Sequence, residues 1–144
     1  MSINEVQDEI VSEFEILGDD RESMIFYIME IGEKAASLPE EHLIDDNIIK
    51  GCQSKVWLIT ELEGDKIKFE ADSNTALTKG LIQLLIRVLS GRKPAEILDA
   101  DLYFLKKIGL QNVIGSQRSN GLAAMVKQMR LFAVAYKAKI DAGS

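Results

Sequence analysis

The sequence is poor in the residues that build disulfides and metal sites. Its 144 residues include one cysteine, Cys52, and one histidine, His42. A single thiol cannot form an internal disulfide, which fits a reducing compartment. It also cannot supply the several thiolates that a cysteine-rich metal site requires. The sequence therefore predicts neither a disulfide framework nor a metal centre.

Long apolar runs are also missing. No stretch approaches the roughly 20 apolar residues that cross a bilayer. The first ten residues, MSINEVQDEI, carry acidic side chains where a secretory signal peptide has basic residues and an apolar segment. We therefore expect a cytoplasmic protein with no membrane-bound segment.

Positive charge is scarce in the first half of the chain. Residues 1–72 carry six basic and 19 acidic side chains, a balance of −13, whereas residues 73–144 carry 11 basic and four acidic ones, a balance of +7. The net charge of −6 argues against a nucleic-acid-binding protein, which would normally present a basic surface. The asymmetry indicates either steering of a protein partner or two solvated helical surfaces of opposite sign.

Apolar spacing in the first 38 residues predicts two amphipathic helices. Ser2 and Glu5 match a capping box at the start of the first helix. Gly18 and the acidic pair after it end this helix and cap the second, which Pro39 closes. An acidic loop is expected over residues 40–46.

The period then changes to two, which is typical of strands. Apolar residues alternate over Val56–Leu62 and again over Ile67–Ala71, and a turn that contains Gly64 separates the two runs. This pattern predicts a β-hairpin. The stretch Ile48–Lys50 is predicted to add a short third strand.

The second half is predicted to be helical. Ala76–Leu89 is so apolar that it predicts a buried helix, and Gly80 within it indicates close backbone packing. One of Asp72, Ser73 and Asn74 is expected to cap this helix. The remaining predicted elements are two short helices, a loop and a final helix, at Pro94–Leu98, Leu102–Ile108, Leu110–Arg118, and from Ser119 or Asn120 onward.

This order of elements predicts one α+β domain over residues 1–144. We expect a small antiparallel three-stranded sheet with helices packed on one face.

Cys52 is the candidate functional residue. Most lone cysteines in intracellular proteins are inert packing residues. Cys52, however, lies in NIIKGCQSKVWL, between Gly51 and the polar Gln53 and Ser54, which favours a loop. A glycine beside the thiol permits unusual backbone angles and the close approach of a partner.

A hydrolase that used Cys52 would need a nearby base, because only a few per cent of a free thiol is ionised near neutral pH. His42 is the only histidine available, so a His42–Cys52 dyad is one hypothesis. A second is sulfur exchange, in which the thiol attacks the outer sulfur of a partner's persulfide and no water has to be activated.

Three blocks of the sequence match a known family. The first is Asn47 followed by Gly51-Cys52-Gln53-Ser54 and Val56-Trp57. The second is Ala71-Asp72-Ser73 with Lys79-Gly80-Leu81, and the third is Arg118-Ser119-Asn120-Gly121-Leu122. On these blocks the chain resembles the SufE proteins, the sulfur-acceptor partners of cysteine desulfurases in iron–sulfur cluster assembly. It departs from them at Gly115-Ser116-Gln117, where the family usually carries a proline.

The resemblance implies that Cys52 accepts persulfide sulfur from a SufS-like cysteine desulfurase and delivers it to a SufBCD-like iron–sulfur scaffold complex of the SUF system. The pyridoxal phosphate belongs to the desulfurase, so no cofactor and no independent turnover are expected of this chain. Gly51, Gln53 and Ser54 would form the mobile loop, and Arg118 and Asp72 would bind the partner or support the loop. The protein would be a monomer or a homodimer, with a fold similar to that of U-type scaffold proteins.

Three alternatives stay open on the sequence, and a fourth is disfavoured. The chain could serve another sulfur-trafficking pathway, or be an interaction domain with an idle cysteine. It could also be a thiol enzyme that uses His42. A U-type scaffold is disfavoured, because such a protein needs about four cluster ligands, mostly thiolates.

Overall fold

The structure is a computed structural model that describes residues 1–143; the last residue of the predicted domain, residue 144, lies outside the described residues. Helices at both ends of the chain enclose one β-hairpin. In chain order the elements are α1 (Ile3–Glu15), α2 (Arg21–Lys34), β1 (Val56–Glu63), β2 (Lys66–Ser73), α3 (Ala76–Leu89), α4 (Pro94–Asp99), α5 (Phe104–Lys107) and α6 (Leu110–Gly143).

The first two helices begin where their capping residues predict. The Ser2 hydroxyl accepts a hydrogen bond from the Glu5 amide at 3.1 Å, and the Glu5 carboxylate accepts one from the Ser2 amide at 2.9 Å. Both partners of the predicted capping box are therefore present. The Asp20 carboxylate accepts a hydrogen bond from the Glu22 amide and caps α2 in the same way. Two 3₁₀ turns, Glu40–His42 and Asp45–Asn47, occupy the acidic segment after α2.

The predicted hairpin is confirmed. Strands β1 and β2 pair antiparallel, with Val56 opposite Ser73 and Glu63 opposite Lys66. The turn contains Gly64 at a φ of +64°, in the left-handed region that suits glycine. One face of the hairpin packs into the core through the buried side chains Val56, Leu58, Ile67, Phe69 and Ala71.

The prediction of a third strand is wrong, because the described sheet has two strands. Ile48 forms only a single bridge to Trp57, supported by the Ile49 amide, which donates to the Val56 carbonyl at 2.8 Å. The chain then turns away at Gly51, whose φ is +98°. This turn ends the pairing before a ladder of hydrogen bonds can form.

Helix α3 lies at the centre of the core. It packs against α1, α2, β2 and α6. Where α2 and α3 cross, Gly32 faces Gly80, and a Cβ atom added to either glycine would overlap a backbone carbonyl oxygen of the other helix. The close backbone packing predicted for Gly80 is therefore confirmed.

The start of α3 differs from its prediction. Thr75 occupies the N-cap position and its side chain makes no capping hydrogen bond. The expected caps have other partners: the Asp72 carboxylate contacts Lys79 and the Leu38 amide, and the Asn74 side chain accepts a hydrogen bond from the Lys55 amide. Because these tertiary contacts engage the side chains of Asp72 and Asn74, neither of them caps α3.

The predicted loop at residues 110–118 is also wrong. The chain is helical from Leu110, and α6 is interrupted only at Gly115, where φ is 82° and ψ is 170°. Leu110, Val113 and Ile114 are all buried, so this first part of α6 has a helical apolar face that packs on the core. The final helix therefore begins before Ser119. Among the described residues, no helix is both long and apolar enough to span a membrane.

The glycine contact between α2 and α3 leads to a prediction about stability. Gly80→Ala places a methyl group against the Ile28 carbonyl, so we expect a loss of at least about 2 kcal/mol in the free energy of unfolding, as for other overpacked sites. Urea unfolding of the full chain measures this. Gly143→Ala is the matched control, because nothing lies within 4 Å of its added methyl group. Equal stability of the two variants would show that α2 can move away from α3 at little cost.

Candidate functional site

Cys52 lies in a loop that is fixed at both ends. The amide of the buried Ile49, which precedes the loop, donates a hydrogen bond to the carbonyl of Val56, the first residue of β1, which follows the loop. At the far end, the Ser73 hydroxyl donates to the Lys55 carbonyl at 2.8 Å and the Asn74 side chain accepts from the Lys55 amide at 3.0 Å. The residues between are therefore held as a short excursion from the sheet. Gly51 provides the left-handed backbone angle that turns the chain just before the thiol.

The loop lies on α6, at a point where that helix has small residues. The Cys52 thiol donates a hydrogen bond to the Gly121 carbonyl, with Sγ 3.4 Å from the oxygen. A Cβ atom on Gly121 would be 3.5 Å from the same sulfur, so the sulfur rests directly on the helix backbone. One residue earlier, Gly51 packs as closely on Ala124. The thiol is therefore half-buried between its own loop and α6.

A small cavity of about 70 Å³ adjoins the thiol. This volume is comparable with that of about two water molecules. Apolar side chains from α3 and α6, Leu81 and Met125, form part of its wall, and Gln117 and Arg118 form part of its polar side. The cavity can accommodate an additional atom or two on the sulfur, but not a substrate of metabolite size.

Burial raises the pKa of the Cys52 thiol above its ordinary value. Arg118 is the only cationic side chain among the described residues that line the cavity. Desolvation disfavours the charged form of a thiol. The free protein therefore holds Cys52 mainly as a protonated thiol near neutral pH, and the thiolate forms less readily than from an exposed cysteine.

Arg118 is exposed, and it lies one turn after the interruption of α6. Its Nη1 donates to the Ile114 carbonyl at 3.4 Å, while Nε of Arg21 donates to the Val113 carbonyl at 3.0 Å. The two arginines thus satisfy the two carbonyls that precede Gly115. The helix therefore breaks at Gly115, and side chains from α2 and α6 stabilise this break.

Asp72 lies in a buried ion pair. Its carboxylate is 3.2 Å from Nζ of Lys79, and each side chain is only 10% exposed. It also accepts a hydrogen bond from the Leu38 amide at 3.1 Å. Asp72 therefore joins β2, α3 and the segment after α2, and it does not line the Cys52 cavity. Its predicted role at a partner surface stays a prediction.

The structure separates His42 from Cys52. His42 lines another cavity, beside Thr60, Glu61 and Phe132, and its Nε2 is 3.8 Å from the Glu41 carboxylate. No histidine lines the Cys52 cavity within the described part of the chain. In the same part of the chain, no cluster of three or more histidine, cysteine, aspartate or glutamate side chains could hold a metal ion.

Gln53 and Ser54 complete the loop. Gln53 is exposed, and the Ser54 hydroxyl accepts a hydrogen bond from Thr75 at 3.1 Å. Both line the Cys52 cavity. The contact of Arg21 cannot be predicted from the sequence, since a surface arginine near a helix start carries no signal of its distant partner. Gly121 belongs to a block that matches the family, but nothing in that block indicates that its carbonyl accepts a hydrogen bond from the thiol.

Comparison with known proteins places this geometry in a family. The SufE model, described as an Fe-S metabolism associated domain, matches residues 8–133. An uncharacterized SufE-like protein of Rhizobium etli is 38% identical over 128 residues, which cover 85% of this chain and 86% of that protein. A second uncharacterized SufE-like protein, from Synechocystis, is 34% identical over 116 residues, 81% of this chain and 70% of its own length.

Two further similarities concern a longer relative and a fold. SufE-like protein 1, chloroplastic/mitochondrial, of Arabidopsis thaliana is 35% identical over 126 residues, which span 85% of this chain but 33% of that protein. The solution structure of a hypothetical protein from Thermus thermophilus superimposes with a TM-score of 0.74, over 92% of this chain and 96% of its own. At 18% identity, this second similarity shows the fold alone.

The burial of Cys52 predicts how its reactivity depends on pH. Because its folded-state pKa is raised, we expect alkylation by the neutral reagent iodoacetamide to reach its plateau at higher pH in the folded protein than in the urea-unfolded chain. As the pH rises, the unfolded chain loses the Cys52 thiol proton at a lower pH than the folded chain does. The stability associated with the thiol is thus complete below the unfolded pKa and is lost as pH rises through the folded pKa. Coincident alkylation profiles would show an exposed, unperturbed thiol.

Proposed function

The chain belongs to the SufE family, as its sequence predicted, and from this premise we propose that it is a sulfur acceptor for a pyridoxal-phosphate-dependent cysteine desulfurase. SufE proteins generally work with cysteine desulfurases and belong to Fe–S metabolism. Cys52 is the proposed acceptor. The pyridoxal phosphate is proposed to reside in the partner.

One observation carries this proposal: the single thiol of the chain lies half-buried in a loop that follows Gly51, beside a cavity of about 70 Å³ that has room for an added sulfur atom. A carrier of one sulfur atom needs one thiol that a partner can reach. Such a carrier also benefits when its sulfur is shielded from other thiols, because the rate of thiol exchange depends on access to the sulfur. The site has both properties.

The proposed reaction is a balanced exchange. The Cys52 thiolate attacks the outer sulfur of the partner's persulfide, and a new S–S bond forms as the partner's S–S bond breaks. The partner's cysteine leaves as a thiolate with the electron pair of the broken bond. The proton lost by Cys52 compensates this thiolate, so no external oxidant or reductant is consumed.

Delivery is the second half of the proposal. The persulfide on Cys52 passes its outer sulfur, by the same exchange, to an iron–sulfur scaffold complex of the SufBCD type.

The alternative of a His42-dependent thiol enzyme receives no support from the geometry, because His42 and Cys52 line separate cavities.

Replacement of the thiol tests the proposal directly. Cys52→Ser should fold normally, because a half-buried loop position tolerates a nearly isosteric side chain, and it should abolish stimulation of the desulfurase. Mass spectrometry after turnover should find one added sulfur atom on the wild type and none on the variant. The double variant Cys52→Ser with Ser54→Cys is the matched control, since it keeps a thiol in the loop but moves it from Gly121. Added sulfur on Cys52→Ser itself would refute the assignment.

Arg118 provides an independent test of the site. Arg118→Ala should slow sulfur acceptance by about tenfold, because Arg118 lines the same cavity as the thiol and is the only cationic residue among the described residues there. The initial rate of transfer and the thermal unfolding temperature should both be measured, with Gln117→Ala as the neighbouring control. Loss of stability together with an unchanged transfer rate would instead make Arg118 a structural clamp for the broken helix.

A further inference from the structure

The flank of α6 opposite Cys52 carries an apolar groove. Two adjoining cavities, of about 690 and 420 Å³, run between α6 and the segment that contains α5. They share Leu102, Leu105, Ala123 and Val126. At one end lie Leu131 and Val134, whose side chains are 50% and 53% exposed although both are large and apolar. Contiguous exposed apolar surface of this kind marks interaction sites.

The rim of the groove is positively charged. Three cationic side chains line it, Lys106, Lys127 and Arg130, against one carboxylate, Asp101. This local excess stands out on a protein whose net charge is −6. Charge complementarity therefore favours an acidic partner over a basic one.

Two polar groups at the groove lack hydrogen-bond partners. Oγ of Ser119 and Nε of Arg130 are both buried without a partner among the described residues, and both residues line the groove. Arg130 is tied to the Ala100 carbonyl through Nη2 at 2.7 Å, which leaves the Nε–H free. The Nε–H of Arg130 is a donor only and the Ser119 hydroxyl can donate, so an acceptor such as a carboxylate can satisfy each of them.

The shape of the groove fits a helix. It is lined mainly by helical side chains of α5 and α6, with Ala100, Asp101 and Leu102 from the segment before α5. Its described lining residues include no strand, so the addition of a β-strand is not its mode of recognition. From Ser119 to Val134, α6 extends for about 22 Å, which matches a partner helix of about 15 residues. We propose that this groove binds an amphipathic helix of a partner protein, with apolar anchors in the groove and acidic side chains toward Lys106, Lys127 and Arg130.

The position of the groove gives the proposal its functional meaning, which rests on the proposed sulfur transfer. An α-helix turns about 100° per residue, so Ala123 and Val126 lie about 200° and 140° around α6 from Gly121, which contacts the thiol. A protein docked at Cys52 therefore leaves this part of the groove free. Lys127 and Leu131, at the other edge of the groove, also line a cavity with Ile49 and Lys50, just before the thiol. Sulfur donor and sulfur acceptor must both reach the same thiol, and a groove on the other flank lets one of them stay bound while the other occupies Cys52.

The test uses the full chain and two synthetic peptides of about 15 residues, each with leucine at the i, i+3, i+4 and i+7 positions. One peptide carries glutamate beside the leucines and the other carries lysine. Fluorescence anisotropy should show that the glutamate peptide binds about tenfold or more tightly than the lysine peptide, and that added salt weakens it. Absence of binding, or equal binding of both peptides, overturns the proposal.

Variants locate the site. Val134→Asp and Lys106→Glu should each weaken binding of the glutamate peptide by about tenfold, because both residues line the groove and both are exposed enough to preserve the fold. Phe26→Asp, on the exposed face of α2, is the matched control and should change nothing. Equal weakening by Phe26→Asp would mean that the peptide binds apolar surface in general, which overturns the assignment to the groove.

Two further measurements separate this proposal from the proposed function. Cys52→Ser should bind the peptide as the wild type does, so a failed sulfur-transfer assay leaves peptide binding unaffected. The peptide should not slow alkylation of Cys52, and slowing would place it over the thiol and overturn the proposal. Sedimentation should show no groove-dependent dimer. A dimer that Val134→Asp abolishes would make a second copy of this chain the occupant and would overturn the proposal.

Discussion

The backbone contact between α2 and α3 at Gly32 and Gly80 is the constraint on which the rest of the structure depends. Because neither glycine has a side chain, the two helices approach until backbone meets backbone, and α3 becomes an almost completely buried central helix. Helix α1, strand β2 and helix α6 all pack on it. A chain of this size has one core, so displacement of α3 would move every other element. Close packing of this kind transmits strain across an interior instead of absorbing it.

The Cys52 site inherits its geometry from that core. Strand β1 holds one end of the loop and α6 lies under its middle, and both are placed by their packing on α3 and its neighbours. The Asp72–Lys79 ion pair fixes β2 to α3 and also holds the segment after α2. Breaking a buried pair by removing one partner costs about 3–5 kcal/mol, because the other charge stays buried. Asp72 belongs to one of the sequence blocks that match the family, and its ion pair with Lys79 stabilises the sheet from which the Cys52 loop projects.

The elements that depend on residues close together in the chain could be predicted from the sequence. The capping box at Ser2, the alternation of apolar residues in the hairpin and the close packing at Gly80 were all readable, since propensity, period and the missing side chain act within a few residues. The third strand and the loop before Ser119 were wrong because tertiary contacts decided them. Gly51 turns the chain away after one bridge, and the apolar face of Leu110, Val113 and Ile114 forms a helix despite the glycine that follows. The Cys52 loop was predicted, but the contacts of Arg21 and Gly121, from 92 and 69 residues away, have no trace in the sequence around their partners.

The hydrogen bond from Cys52 to Gly121 also links acid–base state to loop position. The proton between Sγ and the carbonyl oxygen is the same proton that the thiol gives up when it becomes a nucleophile. Once it is gone, two electron-rich atoms face each other with no donor between them, and the contact that held the loop on α6 changes from attraction to repulsion. The protonated sulfur is therefore the form that this contact stabilises. Ionisation of Cys52 removes the hydrogen bond and so weakens the contact between the loop and α6.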